Sequence, residues 1–358
     1  MRHIRLLAFA IAVSFIAPVG CRKASKPANT GVGAGPTEIT TGPVSFPELG
    51  SGQVIQPGIR FHEFKLIRNG VPMRVFVHLP EMAQGKLPLV LVPPAGSTLI
   101  AGMDLGDDDR AEHSPFAQAG FAVVSFEIDG PVKNKKSEAA IKQGAKQFQA
   151  SQAGLVNAKT ALDFALAKIP NLDQSRVYIA GHSSAGTLAL LFAEYEPRIK
   201  ACVAFAPVTD VLSRLGPQAV SALNSVIPGY REFLRFSSPD TNAAQLKCPV
   251  FLFLALDDDN VPPSVTKSFV AKLKETNPKV TFVTVPTGGH SESVAEEGVP
   301  RAIQWLKNLN GQTSVNDKVT TDPVSPPSLK SGIESRAKAK ATEMQNRAKA
   351  IRDSRRRP

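Results

Sequence analysis

Three short segments of this 358-residue chain hold side chains that together could activate an oxygen nucleophile. The first, Gly181-His182-Ser183-Ser184-Ala185-Gly186, follows the apolar run Val177–Ala180 and runs straight into an apolar helical pattern. Small residues there permit a sharp strand-to-helix turn that lifts the serine oxygen clear of a sheet, above a helix N-terminus. The second segment, Asp257-Asp258-Asp259-Asn260-Val261-Pro262, and the third, Pro286-Thr287-Gly288-Gly289-His290-Ser291, each follow a further apolar run. A serine hydroxyl is a poor nucleophile until an imidazole takes its proton, and a carboxylate fixes the imidazole's tautomer and steadies its charge. Ser183, one of the three aspartates and His290 would supply that set, in the order nucleophile, acid, base. A glycine-rich turn with a capping serine accounts for the first segment alone. It does not account for three such segments in order.

The elements that would hold these residues alternate. Phe61–Ile67 and Met73–Leu79, joined by the turn signal Asn69-Gly70, read as a hairpin. Leu87–Val92, Ala122–Phe126, Val177–Ala180, Ala201–Phe205, Val250–Leu256 and Thr281–Val285 are continuous apolar runs, as in strands buried on both faces. Helical patterns at Ala153–Ala167, Thr187–Glu194, Ser264–Thr276 and Pro300–Leu309 fall between them. Strands alternating with helices predict a mostly parallel sheet of eight strands, covered on both faces. Such a sheet receives ligands at the carboxyl ends of its strands, where all three segments lie. Residues 209–247, with Gly216-Pro217, Pro228-Gly229, Pro239 and scattered apolar residues, read as an insert that forms a small lid.

From about residue 60 to 309 the chain resembles the α/β-hydrolase superfamily, on its prolyl-oligopeptidase and dienelactone-hydrolase branch. The resemblance is carried by Gly120-Phe121-Ala122-Val123-Val124, the G-H-S-S-A-G turn, Cys248-Pro249-Val250-Phe251 leading to the aspartates and Val261-Pro262, and Gly288-Gly289-His290. It implies Ser183 as nucleophile, His290 as base and Asp258 as acid. Two departures stand out. Ala185 occupies the place of the second glycine in G-x-S-x-G, with Gly186 after it. After Leu87–Val92 the chain reads Pro93-Pro94-Ala95-Gly96-Ser97 where the family often has H-G-G. Prolines have no N–H, so the backbone donors of an oxyanion hole would be Ser184 with Ala95 or Gly96. Peptidases of that branch carry a large β-propeller, for which this sequence has no room, and this favours hydrolysis of a small carboxylic ester. A peptidase or amidase with the same triad is the nearest alternative. A catalytically silent hydrolase fold acting as a surface binding protein is the other.

The +11 net charge belongs to the ends. Residues 1–26 carry +5, residues 334–358 carry +6, and the stretch between them is neutral, so a nucleic-acid groove on the body is not expected. Arg2 and Arg5, the apolar stretch Leu6 to Val19, and Gly20-Cys21 form a secretory signal over 1–20. Its end resembles a bacterial lipobox, with Cys21 the lipidated residue and Pro18 where that pattern usually has Leu. Residues 21–58 read as a flexible tether, 59–310 as the hydrolase domain, 311–332 as a linker and 333–358 as a basic, helical tail. The protein is thus expected to be exported and held at a bacterial envelope membrane through Cys21, ordinary secretion being the alternative. The tail reads either as a solvated extension with no partner or as a second attachment to an anionic surface. Three cysteines are too few for a disulfide framework, and Cys202 and Cys248 read as separate thiols, a bridge between them being the alternative. Asp107-Asp108-Asp109 with His113 reads as a polar loop and helix cap, His182 as structural. No metal or organic cofactor is expected.

Overall fold

The computed structural model describes residues 39–309, apart from 69, 82–84, 107–108 and 135–136. The signal segment with Cys21, Asn69, Asp107, Asp108, the 311–332 linker and the basic tail therefore lie outside the described residues. Ten strands form one sheet among those described: β1 (Val44–Ser45), β2 (Gln53–Gln56), β3 (Ile59–Arg68), β4 (Val71–Pro80), β5 (Leu87–Leu91), β6 (Ala122–Phe126), β7 (Leu172–His182), β8 (Ala201–Phe205), β9 (Val250–Ala255) and β10 (Val280–Val285). The spatial order is β1-β3-β4-β6-β5-β7-β8-β9-β10, with β2 also paired to β3. From β6 to β10 every pairing is parallel, and β3 and β4 form the expected hairpin, closing with Arg68 opposite Val71.

The eight expected strands are β3 to β10. Two more, β1 and β2, come from the stretch read as tether. Residues 39–58 are thus joined to the sheet, because Ile39, buried at 4% exposure, and the partly buried Phe46 and Leu49 pack on the main core. These anchors are spaced too widely among glycines and prolines to show a period.

The continuous apolar runs are explained by two cores. Along β5, Leu87, Leu89 and Leu91 enter one core and Val90 the other; along β9, Val250 and Leu252 face the first, Phe251 and Phe253 the second. Helices α1 (Arg110–Gln118) and, at the chain's other end, Val299–Leu309 cover the second core. The first, larger core is covered by α2 (Glu138–Ala150), α3 (Leu155–Lys168), α4 (Ser184–Tyr195), α5 (Val211–Val226), α6 (Tyr230–Phe236) and, after the short α7 (Pro239–Asn242), α8 (Pro263–Lys274). Val299–Leu309 is α9.

Residues 209–247 make a packed helical cap. Its first helix bends at Gly216, whose φ of 76° no helix accepts and which Pro217 follows. Tyr230 donates to Ile100 O at 2.9 Å, and Phe233 meets Phe148 of α2 edge-on. Cys202 and Cys248 are free thiols. Asp109 accepts from Gly106 N–H at 2.6 Å, and His113 is buried beside His78, with Ser125 Oγ 3.0 Å from its Nε2. Burial, then the His78 neighbour, brings the His113 pKa down to about 3. That histidine belongs to the interior.

Candidate active site

Strand order reverses around β5, which has β6 on one side and β7 on the other. Open parallel sheets form their crevice at such a reversal. The loop leaving β5 and the turn leaving β7 therefore face each other, and both carry residues singled out by the sequence.

β7 runs through His182, and α4 begins at Ser184. Ser183 alone makes the turn, at φ 56° and ψ −121°, a conformation that costs a non-glycine residue about 1–3 kcal/mol. Its own N–H is held by Phe205 O at 2.9 Å, which ties the turn to β8. The flanking glycines are there because backbone crosses backbone. A Cβ on Gly181 would lie 2.3 Å from Ala185 O, and one on Gly186 would lie 2.9 Å from Gly181 O. Ala185 keeps its methyl, buried at 1% exposure.

Asp258 and His290 meet across the ends of β9 and β10. His290 Nδ1 donates to Asp258 Oδ2 at 2.8 Å, since a carboxylate can only accept. Asp258 Oδ1 accepts from the N–H groups of Asn260 and Val261, both at 2.9 Å. Burial pushes the Asp258 pKa up, but the bonds from His290, Val261 and Asn260 outweigh burial and leave it below the usual value. Asp257 points elsewhere and accepts from Gly289 N–H at 2.8 Å and Gly288 N–H at 3.2 Å, clamping the turn that carries His290. Asp259 is exposed. The three adjacent carboxylates thus have three different surroundings, and only Asp258 touches the imidazole.

With Nδ1 engaged, His290 turns Nε2 inward. That atom is buried and has no hydrogen-bond partner among the described residues, Ser183 included. His182 lies against it, with ring centroids 4.7 Å apart, and donates from Nε2 to His290 O at 2.8 Å. Burial, then the neighbouring His290, lowers the His182 pKa to about 4. His182 is a neutral prop for the other ring. Catalytic hydrogen bonds are often long before substrate arrives.

The loop after β5 departs from expectation at one position. Gly96 N–H and Ser97 N–H both donate to Ser184 Oγ, each at 3.0 Å. Gly96 N–H is therefore engaged and not available as an oxyanion donor here. Ala95 N–H and Ser184 N–H have no partner among the described residues. Sequence reasoning also missed Arg214 on the cap, which donates to Asn260 O at 2.5 Å and Asn260 Oδ1 at 2.7 Å. It joins the insert to the loop that holds Asp258.

A mostly parallel sheet with helices on both faces and a serine turn at its reversal defines an α/β-hydrolase fold. Solved structures share it. An acetyl xylan esterase from Paenibacillus aligns with a TM-score of 0.51 at 16% identity, over 73% of this chain and 88% of that one. The Pyrococcus horikoshii acylaminoacyl peptidase aligns with a TM-score of 0.56 at 17% identity, over 74% of this chain and 43% of that one. Residues 108–313 match the prolyl oligopeptidase family, and the chain belongs to that family of hydrolases. An α/β-hydrolase domain-containing protein of Arabidopsis thaliana is 28% identical over 46% of this chain and 56% of its own length. An acetyl esterase of Xylanibacter ruminicola is 26% identical over 62% of this chain and 53% of its own. The chain spans about half the length of these relatives.

Proposed function

We propose that the protein is a serine hydrolase that cleaves a carboxylic ester through Ser183, His290 and Asp258. The observation that carries this reading is the pair of buried Asp258 and partly buried His290, oriented by the bond at Nδ1 so that an Nε2 without a partner among the described residues faces the neighbourhood of the serine turn. In the reaction Ser183 Oγ attacks the ester carbonyl carbon as its proton passes to His290 Nε2, and the carbonyl oxygen becomes an oxyanion. Ala95 N–H and Ser184 N–H are the donors left to hold it. The tetrahedral species collapses, the ester C–O bond breaks, and the alcohol leaves with the proton from His290. Water then attacks the acyl-serine by the same route, releasing the acid and restoring Ser183. The resemblance to an acetyl esterase over 62% of the chain supports the ester reading. Placement outside the cytoplasm, with Cys21 lipidated and the basic tail against an anionic surface, is part of the same reading.

The test is covalent labelling by a fluorophosphonate together with hydrolysis of p-nitrophenyl acetate and of a matched peptide anilide. Ser183→Ala should abolish labelling and lower ester turnover about 10³-fold or more while leaving the melting curve unchanged. A wild-type protein that takes no label is a silent scaffold. Faster cleavage of the anilide than of the ester would make it a peptidase.

A further inference from the structure

The residue after the nucleophile ordinarily matters for its backbone. Here its side chain is engaged as well. Ser184 Oγ accepts two N–H groups from successive residues of the β5 loop, Gly96 and Ser97, across 88 and 87 positions of sequence. Ser184 is 8% exposed, so these bonds have little competition from solvent. Elsewhere the loop is braced from its far side. Ser97 Oγ donates to Ala101 O at 2.5 Å and accepts from Leu99 N–H at 3.1 Å, and Tyr230 holds Ile100 O. None of those bonds reaches the segment that precedes Ser97. Pro93 and Pro94 can donate nothing, and Gly96, at φ 98°, sits where backbone turns freely. The stretch bearing Ala95 N–H is therefore fixed to the serine turn by Ser184 Oγ.

We propose that Ser184 is a positioning residue whose hydroxyl latches the β5 loop to the nucleophile turn, and so sets the spacing between the two oxyanion donors, Ser184 N–H and Ala95 N–H. One residue then supplies one donor through its backbone and places the other through its side chain. The latch also explains why Gly96 N–H is not a donor: it is consumed in holding its neighbour. Oxyanion stabilisation depends on donors set before charge develops. A loosened Ala95 would cost transition-state stabilisation while ground-state binding persists. The inference rests on the serine-hydrolase reading above, and the two can fail separately, because labelling of the wild-type protein decides that reading first.

The experiment compares wild type with Ser184→Ala, Ser184→Thr and Ser184→Cys, full-length, by kcat/KM on p-nitrophenyl acetate and by inhibition with a trifluoromethyl ketone and its carbinol. The ketone forms an oxyanion adduct with the serine and the carbinol cannot. Ser184→Ala should lower kcat/KM about 10- to 100-fold, less than outright removal of a donor, and weaken the ketone by a similar factor. The carbinol should bind as before. Thr, which keeps the hydroxyl, should stay near wild type, and Cys, a weak acceptor, should fall with Ala. If Ala does not fold, the Thr and Cys variants carry the comparison. The proposal is overturned if a folded Ala variant retains wild-type kcat/KM, if ketone and carbinol weaken equally, or if Cys equals or exceeds Thr.

Discussion

Replacing Asp258 by Asn should strand His290 in the wrong tautomer, and the surrounding bonds say by how much. Oδ1 of Asp258 accepts two backbone N–H groups and Oδ2 accepts from His290 Nδ1. An asparagine has one oxygen, and the two N–H groups will claim it. Its NH2 must then face Nδ1, which can only accept, so the imidazole proton moves to Nε2 and cannot be traded for that of Ser183. Recovering the productive tautomer means flipping the amide and leaving the N–H groups of Asn260 and Val261 unpaired. Each costs about 1–3 kcal/mol, roughly 2–6 kcal/mol together. At about 1.4 kcal/mol per tenfold, Asp258→Asn should lower kcat roughly 30- to 10⁴-fold. The assay is p-nitrophenyl acetate turnover at neutral pH, with the ring protons located by ¹⁵N NMR. Asp259→Asn should leave the rate near wild type, and Asp257→Asn should cost less than about 1.4 kcal/mol, since an amide oxygen can still accept one of its two loop bonds. An Asp258→Asn enzyme near wild-type rate, or one that keeps its proton on Nδ1 yet is inactive, would refute the reasoning. A collapse at Asp257 or Asp259 instead would move the acid.

Two further outcomes follow from other parts of the chain. Glu194 in α4 is buried with neither carboxyl oxygen hydrogen-bonded among the described residues; burial first, then Asp240, raises its pKa well above 4.5, with Lys272 opposing. Below that value both folded and unfolded chains are protonated there. Above it only the unfolded chain ionises, so stability should fall as pH rises. Glu194→Gln removes this, and should raise Tm by roughly 2–4 °C for each kcal/mol recovered at pH 8 but not at pH 4; an equal shift at both would show that packing, not protonation, is responsible. Cys21→Ser should abolish incorporation of labelled fatty acid and release the protein from membranes, and persistent labelling would place the anchor elsewhere.

The sheet was legible because its central strands are unbroken apolar runs, and the serine turn because its glycines stand where backbones nearly touch. Helix α2 was not. Its anchors are Ile141, Ala145 and Phe148, and Gly144, a poor helix former, interrupts them. Close packing explains the glycine: a Cβ at Gly144 would lie 2.4 Å from Val132 Cγ2 and 2.8 Å from Gly130 O. The choice of Asp258 came from resemblance, not spacing, since three identical side chains in a row carry no local signal. The Ser184 latch joins residues nearly ninety positions apart, and only folding brings them together. Ala95 and Gly96 were equivalent on paper for the same reason.

The site is assembled from two regions of unequal firmness. Ser183 and the N–H groups of Ser184 and Ala95 follow β7 and β5, the buried middle of the sheet, whereas His290 follows β10, an edge strand that among the described residues pairs only with β9 and is mostly half-exposed. Edges open locally at lower free energy than interiors. Fraying there would withdraw His290, the proposed base, while Ser183 and those N–H groups stayed in place, leaving an intact cradle with no proton acceptor. Asp257, by tying the turn after β10 back to the end of β9, is the fastener against that local loss.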